Sequence, residues 1–445
     1  MNLRLMILET LLEIEKGDVP AGIVIRQVMD KYDYLDRQER SFLKRVLEGT
    51  IERLIELDYI IDRYSRVKTE KLKPVIRAIL RMSVYQLKYM DSVPDSAVCN
   101  EAVKLAGKKG FSSLKGFVNG VLRNIAREIN DIVYPPEGTD EGMSVRYSCP
   151  LWLVRQFVSE QGRERTEKLL ESSLKAADIC IRVNTSRISV DGLKERLLAE
   201  GVRCGASSYL PYALKLEGVD SINRIPSFGE GLFGVQDVGS MLVTFLAGIK
   251  KDDTVFDVCA APGGKSMHAL DILSGTGHVY SFDISDNKLD LIRENADRAG
   301  YDNIDIINAD ALVHNDEYDE KADVLIADLP CSGLGVLRRK GDIKYNMTPD
   351  KEASLASLQW DMLKNVSRYV KPGGIMVFST CTVHRAENED NYRRIKDELP
   401  FEPLPFNDLL PDELKCDTAK EGYIQLVPGV DECDGFFISR FIKNA

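Results

Sequence analysis

Histidine is the scarcest chemically versatile residue in this chain: four occur in 445 positions, none at ligand spacing from a cysteine cluster. A zinc site is therefore not expected, and no other metal is invoked. Nine cysteines are present but without paired spacing, which argues against a disulfide framework and fits a reducing cytoplasm. No apolar run approaches the roughly 18 residues that a membrane span requires. The opening stretch lacks the apolar core of a secretory signal, because acids follow within its first turns. Internal repeats and low-complexity tracts are missing too. The expectation is a cytoplasmic protein with no membrane partner.

Positive charge is in deficit. The chain carries 59 Lys and Arg against 70 Asp and Glu, a formal net charge of −11, which taken as a whole disfavours a polyanionic partner. Fields are screened over about 8 Å at physiological salt, so a local basic face can still bind phosphates. At 445 residues the chain exceeds one compact core, and two or three domains are expected.

Up to about residue 130 the pattern is all-helical. Leu3, Ile7, Leu11 and Ile14 recur at helical spacing. So do Phe42, Val46, Thr50, Leu54, Leu57 and Ile61, and again Val118, Val121, Leu122, Ile125 and Ile129. Gly120 lies inside the last stripe, where it costs about 1 kcal/mol relative to Ala, so close helix packing is expected there. Basic residues gather at Arg37, Arg40, Lys44 and Arg45, at Lys68, Lys71, Lys73, Arg77 and Arg81, and at Lys108, Lys109 and Lys115. Acids are interspersed, so a solvated surface and a phosphate-binding face both fit. The motifs Asp36-Arg-Gln-Glu-Arg40, Val93-Pro-Asp-Ser-Ala97, Asn100-Glu-Ala-Val103 and Gly116-Phe-Val-Asn-Gly-Val-Leu-Arg123, in that order and spacing, resemble the NusB family of helical RNA-binding antitermination factors.

Residues 131–145 read as a linker. A smaller α/β piece follows, opening at Pro150-Leu-Trp-Leu-Val154, with a strand at 179–184, a helix around 190–200 and a Tyr-rich β stretch at 209–216. Its aromatics suit either a platform for single-stranded RNA or a core. Beyond about residue 233, strands and helices alternate as a parallel doubly wound sheet requires. Strands are predicted at 254–259, 278–283, 303–310, 322–327, 375–381 and 435–441. A helix between Asp286 and Gly300 presents Leu289, Ile292, Ala296 and Ala299 on one face and is stopped by that glycine.

Cys259-Ala260-Ala261-Pro262-Gly263-Gly264-Lys265 joins the first of these strands to a helix. The glycines admit close backbone approach, and the helix N-terminus favours an anionic group such as a carboxylate. The run is not G-x-G-x-x-G, and its proline disfavours a turn around pyrophosphate. Asp283 ends the second strand, about twenty residues beyond Gly263, the place for an acid that grips ribose hydroxyls. Asp310 ends the third and is placed to meet adenine. Each acid alone reads equally as a helix cap. Together, ligand-type positions on successive strand ends suit S-adenosylmethionine better than a dinucleotide.

Asp328-Leu-Pro-Cys-Ser-Gly333 closes the fourth strand. By itself it is either a turn with a packed cysteine or a site of chemistry. Cys331 within it and Cys381 in Ser379-Thr-Cys-Thr382 end adjacent buried strands. Two thiols at the mouth of a methyl-donor site fit methylation of a pyrimidine at carbon 5. A thiolate adding to carbon 6 makes carbon 5 nucleophilic, and loss of the carbon 5 proton later expels the thiol. A free thiol is only a few per cent ionised at pH 7, so the site must lower its pKa or supply a base. Asp328 can hydrogen-bond the 4-amino edge of cytosine, and the base must be unstacked to reach the pocket.

These runs, with Asp434-Gly-Phe-Phe437, occur in the order of the Sun/Fmu (RsmB) type of RNA cytosine-5 methyltransferases, which the chain closely resembles over nearly its whole length. The resemblance implies a NusB-like helical RNA-binding domain (1–135), a small α+β, RRM-like subdomain (145–232) and a Rossmann-like methyltransferase domain (233–445). S-adenosylmethionine is the implied cofactor, held by residues Cys259 to Lys265 with Asp283, Asp310 and Asp328. Cys381 maps to the nucleophile and Cys331 to the residue that resolves the covalent adduct. Also similar is Gly333-Leu-Gly-Val-Leu-Arg-Arg-Lys-Gly-Asp-Ile-Lys344, a basic loop offering Arg338, Arg339 and Lys344 to RNA phosphates. Leu329, Thr382 and Gly341 stand where Ala, Ser and Pro are common in the family, and none of these departures removes a reactive group. The implied partner is 16S ribosomal RNA, unassembled or in a partly assembled subunit, acted on by a monomer. Two other readings fit less well. An exocyclic-amine methyltransferase carries an aromatic after Asp/Asn-Pro-Pro, where this chain has Cys331 and Ser332. An RNA-binding assembly factor with a silent methyltransferase fold has no use for the cysteine pair and cofactor loop kept here.

Overall fold

A computed structural model describes residues 2–17, 19–219 and 221–445. Two compact units emerge, one of residues 1–175 with 337–346, the other of 176–336 with 347–445. No described helix is long and apolar enough to cross a membrane.

The first unit is helical: α1 (Leu3–Lys16), α2 (Ala21–Lys31), α3 (Arg37–Glu52), α4 (Leu54–Tyr64), α5 (Pro74–Tyr89), α6 (Asp95–Lys108), α7 (Lys115–Glu128), α8 (Asp140–Arg146), α9 (Leu151–Gln161) and α10 (Arg163–Ser172). The amphipathic stripes converge on a core in which Ile7, Leu43, Val46, Ile60, Ile79 and Leu122 are fully buried. Asp36 and Glu39 form a reciprocal capping box at the start of α3, which satisfies two donors the helix cannot. The stripe from Phe42 to Ile61 is two helices rather than one, because Arg53, at φ −118° and ψ 24°, ends α3 and starts α4. A one-residue break leaves the apolar spacing almost unchanged. Similarly, the linker stretch contains α8, capped by the Thr139 hydroxyl. Gly120 is not a packing glycine, for a Cβ there would meet open space. The close approach falls at Gly49, where a Cβ would lie 2.0 Å from the Tyr85 ring. Several basic residues face acids of their own unit: Arg81 pairs with Asp58 at 2.6 Å, and Lys109 with Glu9 at 2.8 Å.

Residues 337–346 belong to this helical unit, and they correct one expectation. Lys344 is 1% exposed, and its Nζ donates to the Tyr147 carbonyl at 3.3 Å. Burial lowers its ammonium to about 8. Lys344 is therefore an internal residue rather than a phosphate ligand, since the turn at Ile343–Asn346 rolls it inward. Next to it the Tyr345 hydroxyl lies 2.8 Å from the Glu52 carbonyl oxygen and 2.9 Å from that of Ser148. Arg339 stays exposed and Arg338 half-exposed.

The second unit holds two sheets. In the smaller, β1 (Ile179–Val183), β2 (Arg203–Ala206), β3 (Ala213–Glu217) and β4 (Phe233–Val235) pair antiparallel in the order β2-β3-β1-β4. Its aromatic question is settled for two residues: Tyr209 is buried and Tyr212 half-buried against the core, the latter edge-on to His268. The larger sheet contains β5 (Thr254–Val258), β6 (His278–Asp283), β7 (Ile304–Asn308), β8 (Ala322–Asp328), β9 (Val370–Thr380), β10 (Phe401–Pro403), β11 (Tyr423–Leu426) and β12 (Phe436–Lys443). The order is β10-β12-β9-β8-β5-β6-β7, with β11 also on β12. Strands β5 to β9 pair in parallel, whereas β12 runs antiparallel to β9, so the sheet is mixed. The continuous apolar run of β8 follows from burial on both faces: Val324 and Ile326 enter one core, Leu325 and Ala327 the other.

A buried polar network joins the two sheets. Arg182 of β1 is 1% exposed and meets Asp271 at 3.3 Å. Asp271 also accepts from the backbone N–H and hydroxyl of both Thr185 and Ser186, at 2.6 to 3.0 Å. A buried cation stripped of its partner is expensive. Asp271→Asn is therefore expected to destabilise this unit by about 3–5 kcal/mol, measured by chemical denaturation, with Arg182→Met in the same chain recovering part of the loss.

In β5, Asp257 is fully buried, with Ser266 Oγ donating to it at 2.5 Å. Burial raises its carboxyl to about 7. The folded state thus holds this proton more tightly than the unfolded chain. That contribution is complete below the ordinary carboxylate range and is lost as the pH rises towards 7. Relative to Asp257→Asn, the parent protein should lose stability between about pH 4 and pH 7, read as denaturation midpoints across that range. Parallel curves would rule out this titration.

Candidate active site

The candidate cofactor loop, Cys259 to Lys265, lies where β5 gives way to the helix Gly264–Leu273, beside the point at which strand order reverses between β5 and β8. Cys259 has φ +59° and Gly263 φ +95°, and a Cβ on Gly263 would press to 3.2 Å from Ile292. The Ala261–Pro262 peptide is cis. No side chain caps the helix that follows, so its first amides are open to an anion.

Asp283, 4% exposed, accepts from Ala261 N at 3.2 Å and from Ile284 N at 2.9 Å. Lys288 Nζ also donates to it at 3.2 Å. A carboxylate has about four acceptor sites, so capacity for one ribose hydroxyl remains. Asp310 is half-buried and accepts from Leu312 N at 2.9 Å. It edges a cleft walled by Val258, Phe282, Ala311, Tyr318 and Val366. An apolar slot with Asp310 and Asn315 in its lining suits a purine carrying an exocyclic amine. These donors and walls fit S-adenosylmethionine: Asp310 and the slot could take its adenine, Asp283 a ribose hydroxyl and the open helix amides its carboxylate.

Register brings the reactive groups together. Asp328 stands opposite Ser379 in the β8–β9 pairing, and Ser379 Oγ donates to its Oδ1 at 2.7 Å. Lys265 Nζ donates to the other oxygen at 2.5 Å. Burial works against the Lys265 charge, but Asp328 outweighs it and raises the pKa. The loops beyond these strands place Cys331 Sγ 3.1 Å from Cys381 Sγ. The hydrogen bond to Cys381 and then burial push the Cys331 thiol well up, so Cys331 keeps its proton. The negative form of Cys381 also favours the Lys265 ammonium. Cys259 takes no such part: burial, then the charges of Asp283 and Asp328, push it up to about 12.

Cys381 is fixed by its surroundings. Its carbonyl accepts from Gly335 N at 3.0 Å, and the Gly335 carbonyl accepts from Gly435 N at 2.8 Å. A Cβ on Gly335 would lie 2.3 Å from the Gly435 carbonyl oxygen and 2.8 Å from that of Cys381, which explains glycine at both positions. Sequence reasoning assigns Lys265 and Asp328 both to the cofactor, and the two side chains meet each other. It misses Glu387, Gln359 and Asn388. Asn388 accepts from Thr380 Oγ1 at 2.5 Å and donates to the Thr382 carbonyl at 3.0 Å, bracketing Cys381. The only signal for it is its place a few residues beyond the Thr-Cys run.

Comparison with known proteins agrees with this architecture. The profile described as 16S rRNA methyltransferase RsmB/F matches residues 243–442, the NusB family matches 1–127, and an RsmF/B-like ferredoxin-like domain matches 149–223. The probable ribosomal RNA small subunit methyltransferase B of Bacillus subtilis (strain 168) is 35% identical over 447 residues, covering 100% of this chain and 99% of that one. The protein of the same name from Synechocystis is 31% identical, covering 97% of each. Among solved structures, PH0851 shares the fold at a TM-score of 0.82 and 24% identity, over 100% of this chain and 99% of that one. A methyltransferase homologue from Pyrococcus horikoshii aligns at a TM-score of 0.60 and 28% identity, over 69% of this chain and 100% of that one. Profile, full-length relatives and site geometry converge: the chain belongs to the S-adenosylmethionine-dependent RsmB/F family of 16S rRNA methyltransferases.

Proposed function

We propose that this protein methylates carbon 5 of a cytosine in 16S ribosomal RNA through a covalent bond to Cys381. The observation that carries the reading is the thiol pair: Cys331 and Cys381 lie 3.1 Å apart with Cys331 holding a proton. Bound S-adenosylmethionine supplies an electrophilic methyl group. Cys381 Sγ adds to carbon 6 of the base, and carbon 5 then carries the electron pair that takes the methyl. Asp328, anchored by Lys265 and Ser379, accepts from the 4-amino group and orients the ring. A solvent base removes the carbon 5 proton, the C6–S bond breaks, and the thiolate of Cys381 returns. Cys331, as a hydrogen-bond donor to the departing sulfur, stabilises that thiolate and so speeds release. The protein acts as a cytoplasmic monomer on unassembled or partly assembled small-subunit RNA.

Cys381→Ala is expected to abolish turnover while S-adenosylmethionine still binds, and Cys331→Ala to accumulate a denaturation-resistant RNA adduct. Tritium release from RNA carrying 5-tritiated cytosine is the direct assay; full activity of Cys381→Ala sinks the reading. For RNA binding, Arg338 and Arg339 remain candidate phosphate ligands. Neutralising either should weaken RNA affinity and lower the salt slope by about 1 for each phosphate no longer neutralised, as measured by binding at several salt concentrations. An unchanged slope would dismiss them as phosphate ligands.

A further inference from the structure

Cys331 lies beyond the end of β8, and its own strand does not hold it. A buried clamp grips the backbone on both sides of it. Glu387, 0% exposed, accepts at Oε2 the N–H of Ser332 at 2.9 Å and a proton of Gln359 Nε2 at 2.8 Å. The same Nε2 donates to the carbonyl of Pro330 at 2.9 Å. The peptide groups immediately before and after Cys331 are therefore both tied to one pair of side chains. Gln359 is oriented in turn by Asn391, whose Nδ2 donates to its Oε1 at 3.0 Å and to the Glu387 carbonyl at 3.1 Å. The second Glu387 carboxylate oxygen lies 3.5 Å from His384 Nδ1. Burying a carboxylate is costly without such donors. This one serves a loop whose only reactive atom is the Cys331 sulfur.

We infer that Glu387 and Gln359 are positioning residues for product release: they hold Cys331 Sγ in hydrogen-bond reach of Cys381 Sγ. The inference rests on the covalent reading above. Neither side chain meets the base. Cys381 has its own anchors in Gly335 and Asn388, so slackening the clamp leaves attack intact and removes the donor to the departing sulfur. The slowed step is breakage of the C6–S bond, with its electron pair returning to Cys381.

The test uses the full-length chain, S-adenosylmethionine and a 16S rRNA transcript, comparing Glu387→Ala, Gln359→Leu, Glu387→Gln and Cys331→Ala with the parent. Two rates are read: methyl incorporation in a single turnover, and decay of the denaturation-resistant adduct. Glu387→Ala and Gln359→Leu are expected to slow release at least about tenfold, because a misplacement of about 1 Å can cost about a hundredfold. First-turnover methyl incorporation should stay within about threefold of the parent. Glu387→Gln retains an acceptor oxygen for both donors and should restore most of the release rate lost in Glu387→Ala. Equal slowing of both rates, or parental release in Gln359→Leu, overturns the inference. Should Glu387→Ala fail to fold, Gln359→Leu alone decides it. Absence of any adduct in Cys331→Ala overturns the covalent reading itself, whereas adduct there with none in the clamp variants overturns only the clamp.

Discussion

The parallel pairing of β8 with β9 is the constraint on which the site depends. Its register sets Asp328 against Ser379, so the two strands leave the sheet side by side and their loops start from a common edge. A slip of one residue would turn every side chain to the opposite face. It would break the bond between Ser379 and Asp328 and drive the thiols apart. The burial of β8 on both faces makes such a slip costly, because Leu325 and Val324 would exchange cores. The reactive geometry is thus inherited from hydrophobic packing several residues away. The glycines at 335 and 435 then let a third segment pack against the Cys381 carbonyl without a side chain in the way.

Much of this was legible in the chain, and the reasons differ by residue. Strands buried on both faces announce themselves as unbroken apolar runs, and the loop Cys259 to Lys265 is short enough for its glycines to be read in place. The helix closed by Gly300 was readable for the same local reason: its glycine adopts φ +73° and its N–H returns to the Ala296 carbonyl. What stayed hidden is what the fold brings together. Gln359 and Glu387 are 28 residues apart, and no local pattern says that they meet behind Cys331. The direction of a long side chain is equally silent. Lys265 turns to Asp328 and Lys344 turns inward, although both stand in runs that read as facing a ligand. Gly120 and Gly49 make the same point in reverse, because a glycine within an apolar stripe does not reveal whether a neighbour approaches it.

Charge in this protein is used locally. A net charge of −11 coexists with a buried guanidinium at Arg182 that shares Asp271 with four donors from Thr185 and Ser186. Asp271 stands near the end of the helix Gly264–Leu273, whose opposite end carries the uncapped loop from Cys259 to Lys265. The small sheet and the cofactor loop are therefore two ends of one rigid connection. In a low-dielectric interior such a fully satisfied network is stiff, which suits a loop that must present its amides in a fixed direction.

The helical unit is built from two stretches of chain, residues 1–175 and 337–346, and everything between them belongs to the other unit. A nascent chain leaving the ribosome can therefore collapse its helices early but cannot finish them. The socket that receives Tyr345, formed by Ser148 and the Glu52 carbonyl, waits until four of the eight strands of the large sheet have been synthesised. Completion of the two units is consequently ordered by connectivity: the helical unit, begun first, is sealed only after the other has been started and before that other is finished.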